Sequence, residues 1–339
     1  MSGDGRTNLS GPAATATLAH VSRLTPRFEL ISDLTSVGPL VADLFEAAAA
    51  ADLRQPLSDQ LWLDLTHGGR PGSTAAVAHD GSDSVIGYAQ SSWGNDTTVV
   101  QLVVHPDHRE HTDRLGAVLL HAVITAAGTH EAVRDVTWWV AEPDASHHRL
   151  AELLGWTPGR RLLQMRRPLP TGEPVEVDVR PFRPGLDDLP WINVNNRAFS
   201  AHGEQGGWDL ATLHQRMAEE WFDPDGFLVH DRDGRMAGFC WTKLHHDLDP
   251  VEGEIYVIAV DPDFHGAGLG RQLTLAGLDA IARRGVTIGM LFVDADNTAA
   301  VRLYERLGFS VNRTDVAFTG SPPSNTPSTP PSTPPGAQP

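Results

Sequence analysis

The stretch VDPDFHGAGLGRQL, residues 260–273, places glycines at alternate positions, Gly266, Gly268 and Gly270, between an apolar run and a segment of helical period. A strand that feeds a glycine-rich turn opening a helix is a site for anions, because the first N–H groups of a helix lack internal partners and the helix dipole is positive there. Side chains at the three glycines would stand between an incoming phosphate and those donors. The spacing is not that of a Walker loop, which ends in Gly-Lys-Ser/Thr, and no acidic residue closes a second strand as a dinucleotide fingerprint requires. Taken alone, the glycine spacing also fits an ordinary tight turn.

Working outward, the chain repeats itself once. LVVHPDHREHTDRLGAVLLHAV (102–123) parallels IAVDPDFHGAGLGRQLTLAGLD (258–279), with Pro106 on Pro262, a separation of 156 residues (262 − 106). WWVAEPDASHHRLAELLGW (138–156) parallels LFVDADNTAAVRLYERLGF (291–309), with Gly155 on Gly308, a separation of 153 (308 − 155). Two matches at nearly one offset indicate duplicated domains. Each copy reads as a strand (Val99 to Val104; Ile255 to Val260), a helix (Leu115 to Ala127; Gln272 to Arg284), a second buried strand (Val136 to Val140; Ile288 to Val293) and a short helix closed by Gly before an aromatic residue. The fold class is α/β, an α+β mixed sheet in two tandem domains. RRPLPTGEPVEVDVRPF holds the join, set near Gly172. The domains are residues 23–171 and 172–319, between an N-terminal segment of residues 1–22 and a Pro/Ser/Thr tail, 320–339, both expected to be disordered.

The chain has 339 residues, and Lys+Arg 26 against Asp+Glu 43 gives a net charge of −17. Without a cationic face a nucleic-acid partner is not expected. Cys240 is the only cysteine, which excludes internal disulfides and cysteine metal clusters and fits a reducing cytoplasm. The first twenty residues lack a signal-peptide core, and no stretch is expected to reach the length of a membrane span. A monomer is expected.

The loop His265-Gly266-Ala267-Gly268-Leu269-Gly270 after Val260-Asp261-Pro262, together with Asn297, Tyr304 and Gly308-Phe309 in DNTAAVRLYERLGF (296–309), resembles the GCN5-related N-acetyltransferase family. His265 stands where that family usually carries Arg or Gln. The resemblance implies acetyl-CoA as cosubstrate, held by the backbone of Ile258, Ala259 and Val260, by His265 to Arg271 (with Ala267, Leu269 and Gly270), and by Asn297 and Arg302. It implies that Glu254 removes the proton of an amine and that Tyr304 protonates the departing thiolate. Read without it, Glu254 is a solvated charge at a strand start, Tyr304 a core tyrosine at three-residue spacing from Val301 and Leu307, and Asn297 a helix cap.

HGEQGGWD (202–209), WFDPDGFLVH (221–230), WTKLH (241–245) and GEIYVIAVDP (253–262) narrow the resemblance to the tandem-domain actinobacterial branch that acetylates the cysteinyl amine of Cys-GlcN-Ins. That branch implies substrate contacts at Glu204, Lys243, Glu254 and Phe292, the last where a tyrosine can stand, and the acidic stretch LSDQ (57–60) is expected to bring Asp59 into the cleft from the first domain. Lys243 and Glu204 are otherwise solvated surface charges. Another small-amine acetyltransferase and a non-catalytic acyl-CoA sensor remain as alternatives.

Aligned on Pro106, the first copy reads His108-Arg109-Glu110-His111-Thr112-Asp113-Arg114 against the glycine loop, and Ala151 stands opposite Tyr304. The first domain is therefore expected to be non-catalytic, serving as a cleft wall or holding a cofactor through the backbone of Leu102, Val103 and Val104. His105, His108 and His111, and the pairs His147-His148 and His245-His246, read as capping or solvated residues, and no metal is expected.

Overall fold

The computed structural model describes residues 25–69, 72–93, 97–128, 135–200 and 205–322. The first half runs β1 (Arg27–Ile31), α1 (Val37–Asp52), α2 (Asp59–His67), β2 (Thr74–His79), β3 (Val85–Trp93), β4 (Thr98–Val104), α3 (Thr112–Ala127), β5 (Val136–Ala141), α4 (Ala145–Leu154) and β6 (Thr157–Pro168). The second half repeats the order: β7 (Arg180–Pro181), α5 (Asp188–Ala198), α6 (Leu210–Met217), β8 (Phe227–Arg232), β9 (Arg235–His245), β10 (Glu252–Val260), α7 (Leu269–Arg283), β11 (Ile288–Asp294), α8 (Thr298–Arg306) and β12 (Ser310–Gly320).

All strands join one sheet in the order β1-β2-β3-β4-β5-β12-β6-β11-β10-β9-β8-β7. Among the described residues only β4–β5 and β10–β11 pair in parallel, each crossing over through a long helix, α3 or α7. The final strands of the two halves are exchanged. β12 pairs with β5, while β6, which ends the first copy in sequence, pairs with β11 (Arg166 opposite Met290) and with β12. The join expected near Gly172 thus follows a strand already built into the second half's ladder. Gly320, where the expected tail begins, closes β12 opposite Val136. Residues 1–22 and most of the tail lie outside the described residues.

Period-two burial assigns the two faces of the sheet. On one face α1 and α2 cover Ala75, Val77, Tyr88 and Val103, and α5 and α6 cover Phe227, Val229, Phe239, Trp241, Val257 and Ala259. On the other, α3 and α4 pack on Ala78, Ala89, Trp138 and Phe318, and α7 and α8 on Cys240, Ile255, Met165, Leu291 and Val293. Neither core on the first face includes a residue of β6, β11 or β12. The alternate residues of those strands therefore floor a trough between the two helix pairs.

One expectation is corrected. Leu34–Asp52 is long and apolar enough by composition to cross a membrane. Its alanines raise the mean hydropathy, while Leu34, Val37, Val41 and Leu44 are buried in the first half's core.

Candidate active site

The decisive feature of β10 is a bulge. Ile255 faces Thr242 and Val257 faces Trp241, so Tyr256 is an extra residue on β10. Parallel pairing with β11 stops at Ile255–Leu291, although β10 continues to Val260 and β11 to Asp294. Past the bulge the strands share no ladder, and Ile258, Ala259 and Val260 run along an opening in the sheet with β9 as partner on their other side.

That opening leads to the glycine stretch. A 3-10 turn, Pro262–Phe264, is capped by Asp261, and His265 is extended. Gly266 and Gly268 then take φ of 86° and 75°, in the left-handed region that side chains rarely adopt. A Cβ on either would meet nothing within 4 Å, so the space before them is open. Gly268 is the N-cap of α7 and supplies no side-chain hydrogen bond, which leaves the first-turn amides of α7 as free donors beside the exposed residues His265 to Gly268. Leu269 turns inward, and a Cβ on Gly270 would only touch Val260. The His265 ring lies 3.0 Å from the Val260 carbonyl, and the Arg271 guanidinium is paired with Glu173.

Polar residues gather on the trough floor because β9 and β10 are in register there. Glu254 lies opposite Lys243 and Glu252 opposite His245, which places all four on one face. Each acid has its own basic partner. Glu252, 5% exposed, lies 3.0 Å from Arg166 of β6, and burial raises its pKa. Glu254, 7% exposed, is bonded to His245 Nε2 at 2.7 Å. Lys243 reaches Asp59 of α2 at 2.9 Å and sits 4.8 Å over the Trp221 ring. Burial acts to raise the Asp59 pKa, but Lys243, together with Arg216 and His245, outweighs it and holds the carboxyl below its ordinary value.

The first half thereby closes one wall of the trough. Arg216 of α6 adds a bond of 3.1 Å to Gln60, and Gln55 one of 2.8 Å to Asp247. Phe292 lies on the floor opposite Gln164, under the Arg313 guanidinium at 5.7 Å. Glu204 lies outside the described residues.

Tyr304 is 7% exposed on α8, its ring 5.8 Å from Phe309 within the α7–α8 core, and burial pushes its pKa up to about 12. It is thus part of the core and also a phenol that keeps its proton at neutral pH. Asn297 is the N-cap of α8, accepting from the Ala300 amide at 3.2 Å, and Arg302 is exposed on the same helix. Cys240 is fully buried.

Two regions of the chain, residues 40–156 and 191–309, match the acetyltransferase (GNAT) family. The chain belongs to the acetyltransferase (GNAT) family. Its similarity to known proteins covers more than four-fifths of the chain. It is 43% identical over 286 residues to a mycothiol acetyltransferase of Thermobispora bispora, covering 82% of this chain and 94% of that one. It is 42% identical over 294 residues to a mycothiol acetyltransferase of Kocuria rhizophila, covering 81% and 93%. Among solved GNAT structures, a GCN5-related N-acetyltransferase from Sphaerobacter thermophilus superposes with a TM-score of 0.66 at 24% identity, over 88% of this chain and 97% of that one. A tandem GNAT protein of the clavulanic acid pathway gives 0.66 at 18%, over 88% and 100%.

Several residues of this GNAT trough were not singled out from sequence. Arg166, Gln164, Arg216 and Gln60 converge only through the strand exchange and the packing of the halves. His245 was read as a capping or solvated residue, and its bond to Glu254 corrects that. The available signal was its place two residues after Lys243 on a strand whose hairpin partner carries Glu252 and Glu254. His105 caps the Pro106–His111 turn by accepting from Asp107, and His147 completes the capping box of α4 with Asp144. Among the described residues, no three of His, Cys, Asp and Glu gather as metal ligands.

Proposed function

We propose that this chain transfers the acetyl group of acetyl-CoA to the cysteinyl amine of Cys-GlcN-Ins, in mycothiol biosynthesis. The observation that carries the reading is the uncapped start of α7, held open by Gly266 and Gly268 at the end of a bulged strand that also bears Glu254. The residues present fit the cosubstrate, since the space before both glycines is open and the first-turn amides are donors suited to a diphosphate. When bound, acetyl-CoA supplies an activated acetyl thioester.

In this reading the amides from Gly266 to Arg271 hold the diphosphate, and the β10 edge from Ile258 to Val260 aligns the acyl arm and polarises its carbonyl. Asn297 and Arg302 flank the same end of the sheet opening from α8. Glu254 takes the ammonium proton of the acceptor, whose α-amine has a pKa of roughly 7.7–8.0 when free. Tyr304 returns a proton to the departing thiolate, a role that requires the protonated phenol its burial preserves. Asp59, Lys243 and Phe292 face the pseudo-disaccharide, and Glu204 is a further contact expected from the sequence. The first half supplies the wall of the trough and does no chemistry.

Steady-state acetylation of Cys-GlcN-Ins beside a panel of aminoglycosides and polyamines tests this. We expect kcat/KM for Cys-GlcN-Ins to exceed that of every other amine by at least about 10²-fold, below the roughly 10⁴–10⁵ that a site built to hydrogen-bond its substrate can reach. Faster turnover of a polyamine would replace the acceptor and keep the chemistry.

A further inference from the structure

Carboxylates that face the trough differ in the kind of partner they have. Asp59 has Lys243 at 2.9 Å and Glu252 has Arg166 at 3.0 Å, both permanent cations. Glu254 instead has an imidazole, at 2.7 Å. Register makes this specific. The residue directly opposite Glu254 is Lys243, and His245 lies on the diagonal, a spacing of roughly 7–8 Å between backbones that only a long side chain crosses. Lys243 is drawn away by Asp59 of the first half and by the rings of Trp221 and Tyr256, at 4.8 and 5.6 Å. Among the described residues His245 is the group bonded to the Glu254 carboxylate, on Oε2, which leaves Oε1 without a protein donor.

We propose that His245 is a positioning residue for the acetyl transfer: its Nε2–H fixes Oε2 of Glu254, so that Oε1 faces the acceptor amine and Glu254 is kept from swinging onto Lys243. This rests on the reading of Glu254 as the base. A permanent cation at position 245 would pair with the carboxylate and make it a poorer proton acceptor. An imidazole offers the N–H that orients it without the permanent charge of Lys or Arg.

Three variants separate the possibilities, with kcat and both KM values measured for wild type, His245→Gln, His245→Ala and His245→Arg, and thermal unfolding checked for each. The side-chain amide of Gln also offers an N–H, so His245→Gln is expected to stay within about threefold of wild-type kcat. His245→Ala is expected to lose about 10- to 100-fold in kcat, part of the roughly 10²–10⁴ a positioned base contributes, with the KM for acetyl-CoA unchanged. His245→Arg should be at least as slow as His245→Ala. Full kcat in His245→Ala, or His245→Gln as slow as His245→Ala, overturns the proposal. A wild-type chain that leaves Cys-GlcN-Ins unacetylated counts against the acceptor reading alone, and the same variant ratios are then read on whichever amine of the panel is turned over fastest.

Discussion

Both halves of the molecule carry a strand, a 3-10 turn and a long helix at the same place in the sheet, yet they end the turn in opposite ways. In the first half the turn spans Pro106–His111 and runs without a break into α3, with Thr112 in right-handed helical conformation, its hydroxyl donating to the Arg109 carbonyl at 2.8 Å. In the second half the turn stops at Phe264, His265 extends, and two positive-φ glycines delay the helix to Leu269. The partner strands differ too: β10 is bulged at Tyr256, whereas β4 pairs with β3 in unbroken register. The same topology therefore gives one closed helix start and one open one. The difference lies in a few residues whose backbone must be left-handed.

The comparison breaks most visibly at the base. Glu254→Gln is expected to lower kcat by about 10³-fold, within the roughly 10²–10⁴ range for a positioned proton acceptor, with the fold unchanged by thermal unfolding. Wild-type turnover in that variant would remove Glu254 from the chemistry. Tyr304→Phe keeps the ring in the core and removes only the phenol, so kcat should fall by about 10²-fold at nearly unchanged stability. A variant that loses stability while retaining rate would show the tyrosine to be core alone.

The contact between the halves gives a smaller effect with a defined pH sign. Because the Asp59 carboxyl is held below its ordinary value, the Asp59–Lys243 contact stabilises the chain at pH 7 and down to the ordinary carboxylate pKa, and that contribution is lost as pH falls through the folded value below it. The difference in urea midpoint between wild type and Asp59→Asn should be complete at pH 7 and shrink below pH 3.8. A difference that grows on acidification would contradict the assignment. Smallest of all, Arg109→Ala in the first half's closed turn should leave kcat and the KM for acetyl-CoA within about twofold, the surface range for a residue distant from the chemistry.

Much of this was legible in the residues. The repeat offset identified two copies of one unit, and the glycines marked the open start of α7, because a left-handed backbone leaves a signature in residue type. Glu254, Tyr304 and Lys243 could be placed through the resemblance, and Asp59 through the acidic stretch that carries it. The exchange of β6 and β12 was not legible, since pairing β12 with β5 or β6 with β11 satisfies the same alternating pattern and only tertiary register distinguishes them. His245 was hidden for a related reason: adjacent histidines do diverge, but what His245 meets is set by the β9–β10 register and the bulge beyond it.

The central claim is that backbone amides at the start of α7, exposed by glycine, hold acetyl-CoA. Titration calorimetry of acetyl-CoA into the wild-type chain and into Gly268→Val tests it most directly, with thermal unfolding to confirm that the variant folds. The account predicts that the substitution weakens binding by at least about tenfold, a loss of about 1.4 kcal/mol, by placing a side chain in the open space before the amides. Affinity equal to wild type in a folded Gly268→Val chain would contradict it.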